Sequence, residues 1–191
     1  LEIFGVMGPI MVIVVGINAG THIVAGELNN KTLELVMSTP LGRNNYLFQQ
    51  ILVMTTKIFF ISLFIWFSFM FFSTIFTLNL DVIKLIGTTT HLFFLGLIFG
   101  SLSLLIGSIT GNKTKTLGIS TVIAILSHFV NAISPLIDGA KNMKYISVFH
   151  YYKNSNPIVN GADFFDIFIM LLLCIILMVL SFISFKYKDL V

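Results

Sequence analysis

The sequence predicts an all-α fold, a polytopic transmembrane helical bundle built as one membrane domain over residues 1–191. Composition is the first reason. Hydrophobic residues fill 57% of the 191 positions and charged residues only 10%, where a soluble domain carries about 25% charged residues. So few charges cannot coat a water-exposed surface, so lipid must solvate most of it. The second reason is length: five apolar runs each approach or exceed the roughly 20 residues needed to cross a hydrocarbon core of about 30 Å. The third is pattern. The runs are continuously apolar rather than alternating, which fits helices and not a transmembrane barrel.

The first run covers residues 3–24 and the second 58–80, with Lys57 at its entrance, where its stem can lie along lipid while the ammonium reaches the interface. The third covers 85–110 and is interrupted by His91; the fourth covers 117–137, where Pro135 marks a kink or a helix end; the fifth covers 167–185. A tight turn at 79–84 joins the second and third, and a short loop at 111–116 joins the third and fourth. A longer semi-polar loop spans 138–166. The lone cysteine, Cys174, lies within the fifth run and excludes an intrachain disulfide.

Between the first two runs lies a polar island at 25–50. Its apolar residues Leu28, Leu35 and Val36 recur near the helical period, with Glu27, Asn30, Lys31 and Glu34 opposite, so a short amphipathic helix is expected, stopped by Pro40. Glu27 and Lys31 stand four apart, in the favourable order for a helical ion pair. Lys31, Arg43, Lys113, Lys115, Lys186 and Lys188 fall on one side of the membrane; Lys84, Lys141, Lys144 and Lys153 fall on the other. This bias places the 25–50 island in the cytosol and the 138–166 loop outside. The start of the chain is then outside, and a whole protein with a cytosolic start has one more span upstream.

Three small-xxx-small pairs occur, Gly16 with Gly20, Gly96 with Gly100 and Gly107 with Gly111. They permit close helix approach, and packing within one bundle is the preferred reading over a dimer seam. Asn18, Thr21 and His22 gather on one face of the first span, and Ser127, His128, Asn131 and Ser134 in the fourth. Two readings stay open for them: the lining of a translocation path, or interhelical hydrogen bonding.

Several function classes lack their residues. There is no basic run for nucleic acid, no phosphate-binding glycine loop and no nucleophile elbow. The four histidines share no metal-ligand spacing, so no catalytic, cofactor or metal site is expected in this chain. The carboxylates sit almost wholly in loops, which leaves no intramembrane proton relay, so energy for transport must come from elsewhere.

The run at 26–43, GELNNKTLELVMSTPLGR, resembles the first cytosolic loop of type-2 ATP-binding cassette permeases, with Lys31 standing where that family usually has glycine. The run at 151–158, YYKNSNPI, with Gly161, resembles the outer loop before the family's last span, and the ending FKYKDL resembles its usual close. The resemblance covers the whole chain and implies six spans in the complete protein, the first lying upstream. It implies an exporter subunit that binds no cofactor itself. Two permeases, as homo- or heterodimer, would pair with cytosolic ATPase subunits that bind ATP and Mg. Glu27, Asn30, Lys31, Thr32, Leu33, Glu34, Leu35, Ser38, Pro40 and Arg43 would then form the coupling contact, on a helix over 27–38. The outer loop would form a partial lid carrying a short re-entrant helix. The want of a strongly charged cavity favours an apolar or amphipathic cargo. An ATPase-independent secondary transporter or channel, and a membrane tether that transports nothing, are the alternatives; the first wants intramembrane charge or broken helices that the sequence does not clearly offer.

Overall fold

The computed structural model describes residues 6–33, 42–76, 81–137, 141–153 and 161–188, and among these there are helices and no strands. Helix α1 is Gly8–Asn29, α2 Arg43–Ile75, α3 Val82–Thr110 and α4 Lys113–Leu136, whose last turn, Ser134–Leu136, is 3₁₀. A 3₁₀ stretch at Lys141–Ile146 and the short α5, Val148–Lys153, lead to α6, Phe164–Lys186. Helices α1, α2, α3, α4 and α6 are each long and apolar enough to cross a membrane.

Local chemistry sets the boundaries. Pro9 sits in the first turn of α1, where a missing N–H costs nothing. Asp81, Asn112 and Asp163 cap α3, α4 and α6, each side chain accepting a backbone N–H from the first turn. Gly111 closes α3 at φ +65°, a left-handed cap that glycine adopts without strain. The cap leaves two residues, Gly111 and Asn112, to reverse the chain into α4. Pro135 lies in the 3₁₀ turn that ends α4.

Helix α3 is the hub, packing against every other membrane helix. In its apolar stretch 72% of residues are buried, against 17% in α4 and in α6, so α3 is the central helix and those two are peripheral. Between membrane helices there is little hydrophobic drive, so small residues and close van der Waals contact must hold the pair. The α1–α3 contact is built that way. A Cβ on Gly16 would lie 2.3 Å from the Gly96 carbonyl oxygen, and one on Gly20 would lie 2.1 Å from that of Gly100. The two glycine pairs therefore interlock with one another inside one chain. Gly107 is looser: a Cβ there meets Ala25 Cβ at an ordinary 3.4 Å. Hydroxyls add polar adhesion at the seam. The Thr21 and Ser103 oxygens lie 2.7 Å apart, and Ser103 donates to the Ile17 carbonyl at 2.9 Å.

Helix α2 departs from expectation. The second apolar run starts at 58, whereas the helix starts at Arg43 and ends at Ile75. The extra turns bury Tyr46, Leu47, Ile51 and Met54 along one face, which continues to Ile58. At 1.5 Å per residue α2 is about 50 Å long, of which the part beyond Lys57 is about 27 Å, close to a hydrocarbon core. Lys57 thus stands inside a continuous helix rather than at its start, exposed on its surface. The third, fourth and fifth spans start three or four residues earlier than expected, and α1 runs on to Asn29; the expected start of the first span at residue 3 lies outside the described residues.

The loop between α4 and α6 is held to the bundle. The Ser147 hydroxyl donates to the Ser127 carbonyl at 2.6 Å, and the Val148 N–H donates to the Ser127 hydroxyl at 3.2 Å. Phe149 is buried, with its ring 4.9 Å from His128 and 6.1 Å from Phe99. The chain then crosses α3 at Gly87, where a Cβ would meet the Ala162 nitrogen at 2.5 Å.

Candidate functional site

The polar corner after α1 is the first candidate. The last turns of α1 widen into a π-helical segment at His22–Gly26, then tighten to α at Glu27–Asn29. Gly26 permits this, since a Cβ there would lie 2.9 Å from the His22 ring nitrogen Nδ1. Tyr46 in the first turn of α2 donates its hydroxyl to the Ile23 carbonyl at 3.0 Å, inside the π segment. Such one-turn widenings are frequent at functional positions.

Helix α1 then stops. Lys31 has φ +56°, and the Thr32 N–H reaches back to the Glu27 carbonyl at 3.0 Å. The expected helix over 27–38 is therefore not continuous. Its first residues belong to α1 and Lys31 breaks it, ahead of Leu33, which is fully buried. The Glu27–Lys31 helical ion pair is replaced too: Lys31 has left the helix, and the Glu27 carboxylate accepts from the Thr32 hydroxyl. Asn30 and Lys31 are exposed, Glu27, Leu28 and Thr32 half-buried. Glu34, Leu35, Val36, Ser38 and Pro40 lie outside the described residues.

A clasp of three helix ends lies beside this corner. Arg43 donates to the Lys186 and Lys188 carbonyls at 3.3 and 3.2 Å, satisfying acceptors that the end of α6 leaves open. Lys188 in turn donates to the Ile109 carbonyl at 2.6 Å at the end of α3. The Tyr46 and Phe185 rings lie 6.4 Å apart just inside. The start of α2 and the ends of α3 and α6 are thereby tied beside the corner. Composition had singled out Arg43 for its charge; its partners are backbone oxygens, which no residue pattern reveals.

The second candidate is the polar set on α1 and α4. Asn18 and His22 are exposed and continue a stripe with Met7, Met11 and Val14 along one face of α1. Thr21 does not share that face. It is fully buried and turned to Ser103 of α3. On α4, Ser127 is engaged by Ser147 and Val148, His128 packs edge-on against Phe149, and Asn131 is half-buried. Ser134 is buried. By helical rise, Asn18 and His22 stand about 16 and 10 Å from the Asn29 end of α1, whereas Ser127 and Asn131 stand about 21 and 27 Å from the Lys113 end of α4. The two groups occupy different depths rather than one ring. His91 is buried within α3, its Nδ1 2.9 Å from the Gly87 carbonyl oxygen.

The described residues form a helical membrane bundle with a short polar corner beside a clasp of helix ends. A family model described as ABC-2 family transporter protein matches residues 3–190. The chain belongs to that family and is a membrane permease component of the ATP-binding cassette class, a family that associates with ATPase partners. No curated protein and no solved structure matches it.

Proposed function

We propose that the chain is the membrane subunit of an exporter in the cell membrane, driven by ATP hydrolysis in separate cytosolic subunits. The polar corner faces the cytosol and is the coupling contact. The observation that carries this is the clasp: Arg43, Lys186, Lys188 and Ile109 tie α2, α6 and α3 beside Glu27 and Thr32. A load on the corner reaches α2 through the Tyr46–Ile23 hydrogen bond, and α6 and α3 through the clasp that starts at Arg43. Asn30 and Lys31 supply exposed polar contacts to an ATPase, and Glu27 and Thr32 hold the corner's shape. ATP and Mg belong to the partner. A second permease covers the exposed α1 stripe, and Asn18, His22, His128 and Asn131 then border the path between two subunits. An apolar or amphipathic cargo suits that border.

Coupling is tested with Glu27→Lys and Asn30→Ala/Lys31→Ala in the full protein co-expressed with its ATPase. The expected result is loss of co-purification or of transport-coupled hydrolysis with membrane insertion intact. Unchanged co-purification and hydrolysis in both variants would remove the coupling role.

A further inference from the structure

Helices α2 and α3 enclose a cavity of about 450 Å³, away from the corner and from the α1 and α4 polar groups. Its walls include Phe59, Ser62 and Trp66 of α2 and Ile86, Thr90 and Phe94 of α3. Phe59 and Ile86 are about half exposed, so the cavity opens on the outer surface of the bundle. The neighbouring surface there carries exposed Phe60, Phe64 and Phe67, a face suited only to lipid or another membrane helix.

Two polar atoms in this apolar wall have no hydrogen-bond partner: Ser62 Oγ, on a side chain 2% exposed, and Trp66 Nε1. The serine could turn to its own helix backbone, but an indole N–H is a donor only and has no such recourse. The facing Thr90 hydroxyl donates to the Ile86 carbonyl at 2.9 Å and accepts from neither of them. A water bridging Ser62 Oγ and Trp66 Nε1 would take up only about 30 Å³, so most of the cavity is left to an apolar occupant. What fits is an occupant that enters from the bilayer, is apolar over most of its length, and carries one hydrogen-bond acceptor.

Depth narrows the choice. The membrane part of α2 begins just past Lys57, so Ser62, five residues on, lies about 7 Å inside that boundary, within reach of a lipid's ester carbonyl. We propose that the α2–α3 cavity is a fixed lipid site, holding an acyl chain whose ester carbonyl accepts from Trp66 Nε1 and the Ser62 hydroxyl.

Trp66 is the chain's single tryptophan and reports on the site directly. The full chain is reconstituted in phosphatidylcholine vesicles containing a minor fraction of lipid brominated along the acyl chain, and Trp66 fluorescence is read. Strong quenching is expected, at least halved by Ser62→Met and by Thr90→Leu, which fill the cavity from opposite walls. In vesicles of ether-linked phosphatidylcholine, which lacks the carbonyl, the emission should move several nanometres to the blue. Quenching undiminished in both variants overturns the site. No quenching in the parent chain also overturns it and assigns the cavity to a protein segment of a partner subunit. Unchanged emission in ether lipid overturns the ester contact.

Discussion

Lys31 is the only non-glycine residue with positive φ among those described, at +56°. An L side chain in the left-handed region costs about 1–2 kcal/mol. The type-2 permease pattern places glycine there, and the geometry supplies the reason: α1 must stop and turn within one residue so that Leu33 can bury. Lys31→Gly is therefore expected to raise stability by about 1 kcal/mol, allowing for glycine's greater freedom when unfolded. Lys31→Ala, which keeps a Cβ, should give no such gain; thermal unfolding in detergent compares them. The sequence marked this position through its departure from a pattern, but the helical period carried the predicted helix straight through it, because periodicity has no means of seeing one left-handed residue. His150 is a second position of this kind. Burial, and then the Lys144 charge, hold its pKa below the ordinary value of about 6.5, while Asp166 pulls the other way. Just below that value the unfolded chain binds a proton that the folded chain refuses, so stability falls as pH falls through this window. Unfolding temperatures should drop between pH 7.5 and 5.5 in the parent chain, and less so in His150→Gln.

At the scale of elements, α2 shows why spans and helices are different objects. Hydropathy finds the stretch that lipid solvates, and that stretch begins after Lys57. The helix begins at Arg43, because Leu47, Ile51, Met54 and Ile58 recur at helical spacing and bury along one face, while Asn44, Asn45 and Gln49 remain exposed. That signal was present in the sequence, masked by the polar composition of the 43–57 segment. The cross-links made by this extension were not legible at all, since they end on backbone carbonyls. Tyr46 is the testable one. Its hydroxyl serves the Ile23 carbonyl in the π segment, where the regular helical bonding is offset. Tyr46→Phe keeps the ring packing against Phe185 and removes only that bond, leaving a buried carbonyl short of a donor. A loss of about 1 kcal/mol is expected, with faster hydrogen exchange confined to the end of α1. Exchange that rises evenly over the whole bundle would point to a general rather than a local role.

For the whole molecule, the decisive feature is that α1 and α3 meet backbone to backbone. Glycine pairs in both helices were visible in the sequence, and preference for packing within one bundle was a reading of composition alone. Which glycine faces which carbonyl depends on helix register and crossing, and neither is encoded in either segment by itself. The consequence is mechanical. With Gly16 against Gly96 and Gly20 against Gly100, side chains cannot yield to absorb a displacement, so α1 and α3 must move as one body. The corner at the end of α1 and the clasp at the end of α3 then load the same unit from two points. A single methyl group tests this. Gly20→Ala places a Cβ 2.1 Å from the Gly100 oxygen, and since that atom is backbone, only separation of the helices relieves the clash. A loss of about 3 kcal/mol is expected, the upper end of overpacking costs, with a marked fall in the unfolding midpoint. Gly118→Ala is the matched control: it lies on exposed α4 surface with nothing within 4 Å of the new Cβ. The same methyl there should add about 0.5–1 kcal/mol, because alanine loses less freedom than glycine on entering a helix. Opposite signs from one chemical change would locate the rigidity in the α1–α3 seam. Equal effects at the two positions would mean that the helices are free to slide, and the corner would then have to drive the bundle through the clasp alone.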